Sequence, residues 1–273
     1  MCDARHGKAR GPCYNALSRL LFQRISAEMD AKMIFDAIES MPNYRRVTLA
    51  IEEQIVSGKM KLGDPLPTEQ DLAEQLGVNR STLREGLRAL ENAGFLKRAG
   101  AKKLIVSIPD SHEIAQYTSR AMTLFSITFT ELWEMLMALE PLSARYAAQR
   151  GPKDLLALLA ENVRATEERL HDDATIIRLD VEFHSLISKA TQNRALVLTE
   201  EPLGLLLYSS TKRLYRSSPR ARYRLLEAHR KISEAITAGD AQTAENWMKK
   251  HIEDFRRGYV IAGLDIKGPV RAT

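Results

Sequence analysis

The chain has 273 residues, with 40 Lys+Arg against 35 Asp+Glu and a formal net charge of +5. Its 44% hydrophobic content suits about two packed domains and excludes wholesale disorder. Two cysteines, Cys2 and Cys13, exclude a disulfide framework and favour a reducing, cytoplasmic setting. The longest apolar run, Leu155 to Ala160, is too short to cross a bilayer, so no membrane partner is expected. The basic N-terminus has no apolar core of a secretory signal. The positive charge is concentrated: residues 44–108 hold 11 Lys+Arg against 8 Asp+Glu, and residues 109–273 hold 23 against 22. A basic excess in one short segment suits a polyanion, most often nucleic acid.

In chain order, residues 1–43 read as an extension. Leu17, Leu21, Ile25, Met29 and Met33 recur every four residues, which predicts a helix there. Met41 is a second candidate start, and a chain from Met41 is expected to fold and to bind DNA. Residues 44–108 are punctuated by Gly63, Pro65, Pro67, Gly77, Gly94 and Gly100 and read as one small domain. Residues 109–117 read as a linker opened by Pro109, residues 118–266 as an all-helical domain, and residues 267–273 as a tail. Helices are predicted over about 112–122, 129–149, 153–170, 174–190, 195–216, 219–238 and 240–262, with breaks at Gly151-Pro152 and Gly239-Asp240.

Within the small domain, Thr68 is placed to cap a helix carrying Leu72, Ala73 and Leu76 on one face, and Gly77 suits its left-handed end. Asn79 suits the cap of a second helix. At about 100° per residue, Leu83, Gly86, Leu87 and Leu90 share one side of that helix, and Ser81, Arg84, Glu85 and Arg88 the other. Arg80, Ser81, Thr82 and Arg84 therefore crowd its start, where phosphate oxygens and base edges are met in a major groove. Phe95 to Val106, turning at Ala99-Gly100-Ala101, reads as a two-stranded wing with basic Lys102 near its tip. The plainer alternative is an amphipathic helical hairpin with a solvated basic face; the caps, turn glycine, leucine face and wing together favour DNA binding.

These residues resemble the DNA-binding domain of the GntR family. The resemblance spans residues 45–108 and rests on Leu62-Gly63-Asp64-Pro65-Leu66-Pro67-Thr68-Glu69, Leu76-Gly77-Val78, Arg80 to Glu85 and Gly94. It implies that Arg80 and Arg84 are recognition-helix arginines, that Gly100 is the wing-tip glycine, and that Thr68 belongs to the motif facing DNA. Where the family often has arginine after the motif's glutamate, this chain has Gln70.

In the helical half, His6, His112 and His171 read as surface residues. Asp180 and His184, four apart, share one helical face; His229 and His251 sit among apolar positions on two later helices. One carboxylate and three imidazoles on three helices are able to converge on a divalent ion, but spacing alone equally allows ordinary buried histidines. Leu203 to Arg216 reads as pocket lining, with Arg213 and Tyr208 as candidate contacts to an anionic effector and helix surface as the plainer reading of each.

Residues 118–262 resemble the FCD effector-binding domain of the FadR subfamily of GntR regulators. The match rests on Glu131-Leu132-Trp133-Glu134, Leu139-Glu140-Pro141, Asp180 to His184, His229-Arg230, Gly239-Asp240 and Met248 to His251. The resemblance implies a metal held by Asp180, His184, His229 and His251, zinc foremost, with nickel or manganese also compatible. It also implies an arginine three residues before the Leu-Glu-Pro glutamate, where this chain has Met137.

The expected fold class is mainly α: an N-terminal winged helix-turn-helix and a C-terminal all-α bundle. The expected protein is a transcriptional regulator, not an enzyme: a homodimer on double-stranded operator DNA, controlled by a small carboxylate effector at the metal. Two alternatives remain at this point: a metal-dependent enzyme fused to a DNA-binding module, against which no His-Glu-x-x-His motif is found, and a direct metal sensor.

Overall fold

The computed structural model describes residues 41–100 and 103–270. Among them are ten helices and one two-stranded sheet. The predicted helix around Leu17–Met33 and the wing residue Lys102 lie outside the described residues. The chain divides into two compact units: one holds the first three helices and the second strand, the other the remaining helices.

In the N-terminal unit, α1 (Asn43–Val56) follows Pro42, whose carbonyl accepts from the N–H of Arg45. Periodicity had not singled this helix out; it buries Val47, Thr48 and Ile51. The side chain of Thr68 caps α2 (Glu69–Leu76) by accepting from the N–H of Asp71, and Gly77 ends it at φ +63°. Asn79 caps α3 (Arg80–Asn92) by accepting from the N–H of Thr82 at 2.8 Å. Helix α3 buries Leu83, Gly86, Leu87 and Leu90, the side expected from sequence. At Gly86 a Cβ would lie 2.7 Å from Val47 Cγ1 and 3.0 Å from the Tyr44 carbonyl oxygen, so α1 and α3 cross where no side chain fits. Strands β1 (Leu96–Arg98) and β2 (Leu104–Val106) pair as the wing, and Gly100 sits at φ +87° in the turn.

The helical unit consists of α4 (Ser111–Leu124), α5 (Phe129–Arg150), α6 (Lys153–Glu168), α7 (Asp173–Ala190), α8 (Arg194–Ser217), α9 (Ala221–Thr237) and α10 (Ala241–Ile261). Most of the stretch expected to be a linker is helical, because Asp110 caps α4 by accepting from the N–H groups of His112 and Glu113 and the helix then packs on α8. Thr128 and Glu131 close a reciprocal capping box at the start of α5. Phe129, Leu136, Phe183, Ile187, Ile232 and Met248 are buried in one continuous core. Helix α10 packs along α5 and α9, and α7 along α6 and α8. The end of the chain is not a free tail up to Val270. The N–H of Val270 donates to Ile127, and the carbonyls of Gly268 and Ile266 accept from Phe129 and Thr130.

Candidate metal centre and DNA-reading helix

Asp180 and His184 lie one turn apart on α7, His229 on α9 and His251 on α10. Each offers one ligand atom, and the four atoms lie within 4.8 Å of one another. Asp180 Oδ1 is 3.3 Å from His229 Nε2 and 3.6 Å from His184 Nε2. Asp180 and His184 are each about 5% exposed and His229 is fully buried. Asp180 Oδ1 and both ring nitrogens of His229 have no hydrogen-bond partner. Buried polar atoms without partners are costly unless something supplies the missing interaction, and this donor set suits a divalent transition ion.

Surrounding residues fix the ligands' orientation. The Nδ1–H of His184 donates to Glu140 Oε2 at 2.9 Å across from α5. A carboxylate only accepts, so His184 Nδ1 carries the proton and Nε2 is left facing the cluster. The Phe183 ring stacks on His229 at 3.7 Å and 7° and holds that imidazole in its plane. The Thr211 hydroxyl donates to Asp180 Oδ2.

The electrostatics favour the ligand forms. Burial opposes charge on Asp180, but the neighbouring His184 and His229 imidazoles outweigh it and hold the carboxyl well below its ordinary range. Burial pushes His229 down and pushes His251 well down. Both are thus neutral imidazoles. His184 is the exception: burial opposes its charge, but Glu140 and Asp180 raise it to about 10. Without an ion it keeps a proton that a bound ion would displace.

A small cavity of about 40 Å³ adjoins the cluster, walled in part by Asp180, His184, His251, Thr211, Tyr215 and Arg224. The Tyr215 hydroxyl is buried without a partner. Burial, then the charge of Asp180, raises its pKa, so it remains a donor. The expected effector contacts fall elsewhere. Arg213 is exposed and interacts with Tyr259, and half-buried Tyr208 packs on the core, so neither lines this cavity. The arginine in its wall is Arg224. Glu140, Thr211, Tyr215 and Arg224 were not singled out as site residues from sequence. One signal was available: Leu207, Thr211 and Tyr215 recur every four residues on α8 and so share a face.

In the N-terminal unit, Arg80, Ser81 and Arg84 are exposed along the start of α3, and Thr82 is half-buried. Arg84 Nε donates to Glu69 at 2.7 Å and Arg80 to Gln70 Oε1 at 3.0 Å, so α2 orients both arginines. Gln70, where the family often has arginine, thereby positions another one. Thr68 spends its hydroxyl on the α2 cap, accepting from the N–H of Asp71 and donating to its carboxylate. Gly100 is exposed at the wing turn.

A capped helix-turn-helix with a wing, in a chain with a second, all-helical unit, defines a DNA-binding transcriptional regulator. The chain belongs to the GntR family. The family model described as bacterial regulatory proteins, gntR family, matches residues 43–103, and that of the FCD domain matches residues 131–254. The Glc operon transcriptional activator of Escherichia coli K12 is 30% identical over 231 residues, covering 80% of this chain and 89% of that protein. The HTH-type transcriptional regulator LutR of Bacillus subtilis is 28% identical over 212 residues, covering 75% and 97%. A solved structure, Streptococcus agalactiae GntR, is 29% identical with a TM-score of 0.55, covering 78% of this chain and 99% of that one. These proteins and families are transcriptional regulators, and the enzyme reading falls away. Regulators of this family bind operator DNA and usually act as dimers. No helix among the described residues is long and apolar enough to cross a membrane.

Proposed function

We propose that this regulator holds a divalent ion on Asp180, His184, His229 and His251, and that a small carboxylate bound beside the ion controls operator affinity. The observation that carries the reading is the buried set of four ligand atoms within 4.8 Å, with Asp180 Oδ1 and the His229 nitrogens unpartnered. One carboxylate and three neutral imidazoles leave a divalent ion with net positive charge, which supplies an electrophilic anchor for an anionic oxygen. The chain's own donors around the cavity have matching chemistry: the hydroxyl of Tyr215 and the guanidinium of Arg224. Zinc is the expected ion, and the nitrogen–oxygen donor set also accommodates nickel or manganese.

The regulator acts as a cytoplasmic homodimer on two operator half-sites, read through Arg80, Ser81, Thr82 and Arg84 of α3, with the basic wing tip after Gly100 on the DNA backbone or in the minor groove. The effector shifts operator affinity only as far as it binds the two functional states of the dimer unequally. The test is His184→Ala, with metal content by mass spectrometry, acid binding by calorimetry and operator affinity measured on one preparation. The expected variant is folded, low in metal, unresponsive to acids and still bound to operator. Metal content and acid response equal to wild type would overturn the reading.

A further inference from the structure

Two cavities in the helical unit share a wall. The inner one, about 40 Å³, adjoins Asp180, His184 and His251. The outer one, about 450 Å³, is a groove between α9 and α10 that includes Glu227, Trp247 and Lys250. Arg224, His251 and Asp254 border both. At that shared wall Arg224 Nε donates to Asp254 Oδ2 at 2.7 Å. From these contacts we infer that Asp254 is a built-in competitor: its carboxylate occupies Arg224 until an incoming acid, entering from the outer groove, takes the guanidinium over. This deepens the proposed acid-binding function and rests on it.

Two features make the exchange physically cheap. The pair is partly solvated, with side chains 42% and 23% exposed, and such ion pairs contribute little net stability. Asp254 does not lose its only partner, because its other oxygen accepts from Arg257. Arginine in turn has the planar donor pair that recognises a carboxylate in two-point fashion. The site therefore selects acids over neutral metal ligands of the same size, and its native affinity is set below its maximum by a carboxylate of its own.

The experiment uses the full-length, metal-loaded protein and malonate as the probe, with acetate and imidazole as comparison ligands, read by calorimetry. Asp254→Asn is expected to bind malonate several-fold more tightly, and Arg224→Gln at least about tenfold more weakly. In the Arg224→Gln background, Asp254→Asn is expected to add nothing, since the two act through one another. Imidazole, which needs the ion but no arginine, is expected to bind all four proteins alike. Equal or weaker malonate binding by Asp254→Asn, with imidazole binding intact, overturns the competitor while leaving the metal-anchored reading standing. Loss of both ligands from wild type overturns that reading and this inference with it.

Discussion

At the scale of single residues, the buried carboxylates in and near the Asp180–histidine cluster behave in opposite ways. Asp180 is held ionised by two imidazoles, whereas Glu200 on α8 is pushed up to about 7, first by burial and then by the charge of Glu140. Glu200 Oε1 accepts from the Ser143 hydroxyl at 2.6 Å, while Oε2 is buried without a hydrogen bond. In the unfolded chain a glutamate titrates near about 4.3, so between there and about 7 the folded protein binds the extra proton. The stability that neutral Glu200 contributes is therefore complete below about pH 4.3 and is lost as pH rises through about 7. Glu200→Gln, neutral at every pH, removes this slope. Urea unfolding is expected to show the variant gaining on wild type as pH rises from about 5 to about 8. Parallel stability curves for the two proteins would refute the assignment.

At the scale of elements, α3 has two faces with separate tasks. Its buried face is set by Gly86, where α1 comes too close for a methyl group. Gly86→Ala gains helix propensity worth about 1 kcal/mol but meets Val47 and the Tyr44 carbonyl, and backbone cannot yield cheaply. A net loss of about 1–2 kcal/mol is expected on thermal unfolding of the full chain, together with weaker operator binding as α3 is displaced. On the exposed face, Arg80→Ala and Arg84→Ala should each weaken operator binding without altering fold or dimerisation. The cost is about 1–3 kcal/mol where a base edge is contacted; a phosphate contact chiefly lowers the salt slope. Because Glu69 already engages Arg84, Glu69→Ala frees that arginine without removing it. Operator affinity unchanged at fixed salt in both arginine variants would rule out this docking face.

At the scale of the whole molecule, the described residues of the N-terminal unit begin at Met41. Helix α1 begins at Asn43 directly behind Pro42, and its buried residues complete the N-terminal core. A chain beginning at Met41 is therefore expected to fold, dimerise and bind operator with wild-type affinity and the same two-half-site footprint. Sedimentation and footprinting of that shortened chain check this. Loss of dimerisation or of operator binding would show instead that the Leu17–Met33 stripe packs on the body.

Local signals in the chain were sufficient for much of this. Thr68 with Gly77, and Asn79 with the leucine side of α3, act through neighbours within a few residues, so their pattern directly reports caps, turn and buried face. Periodicity and breaks at Gly151 and Gly239 likewise delimit the helices of the second unit. The pairing of Asp180 with His184 is local too, being one helical turn. What lies beyond a turn was decided by packing. Nothing in linear spacing shows that α9 and α10 carry His229 and His251 to within 4.8 Å of that pair. Nor does spacing show that Glu140 reaches His184 across 44 positions. The same holds for the choice of arginine. Arg213 and Arg224 look alike in sequence, and only the rotation of α8 and α9 in the bundle turns Arg213 outward and sets Arg224 in the cavity wall. A helix repeats its side-chain directions locally, but which direction meets a neighbour depends on contacts from distant parts of the chain.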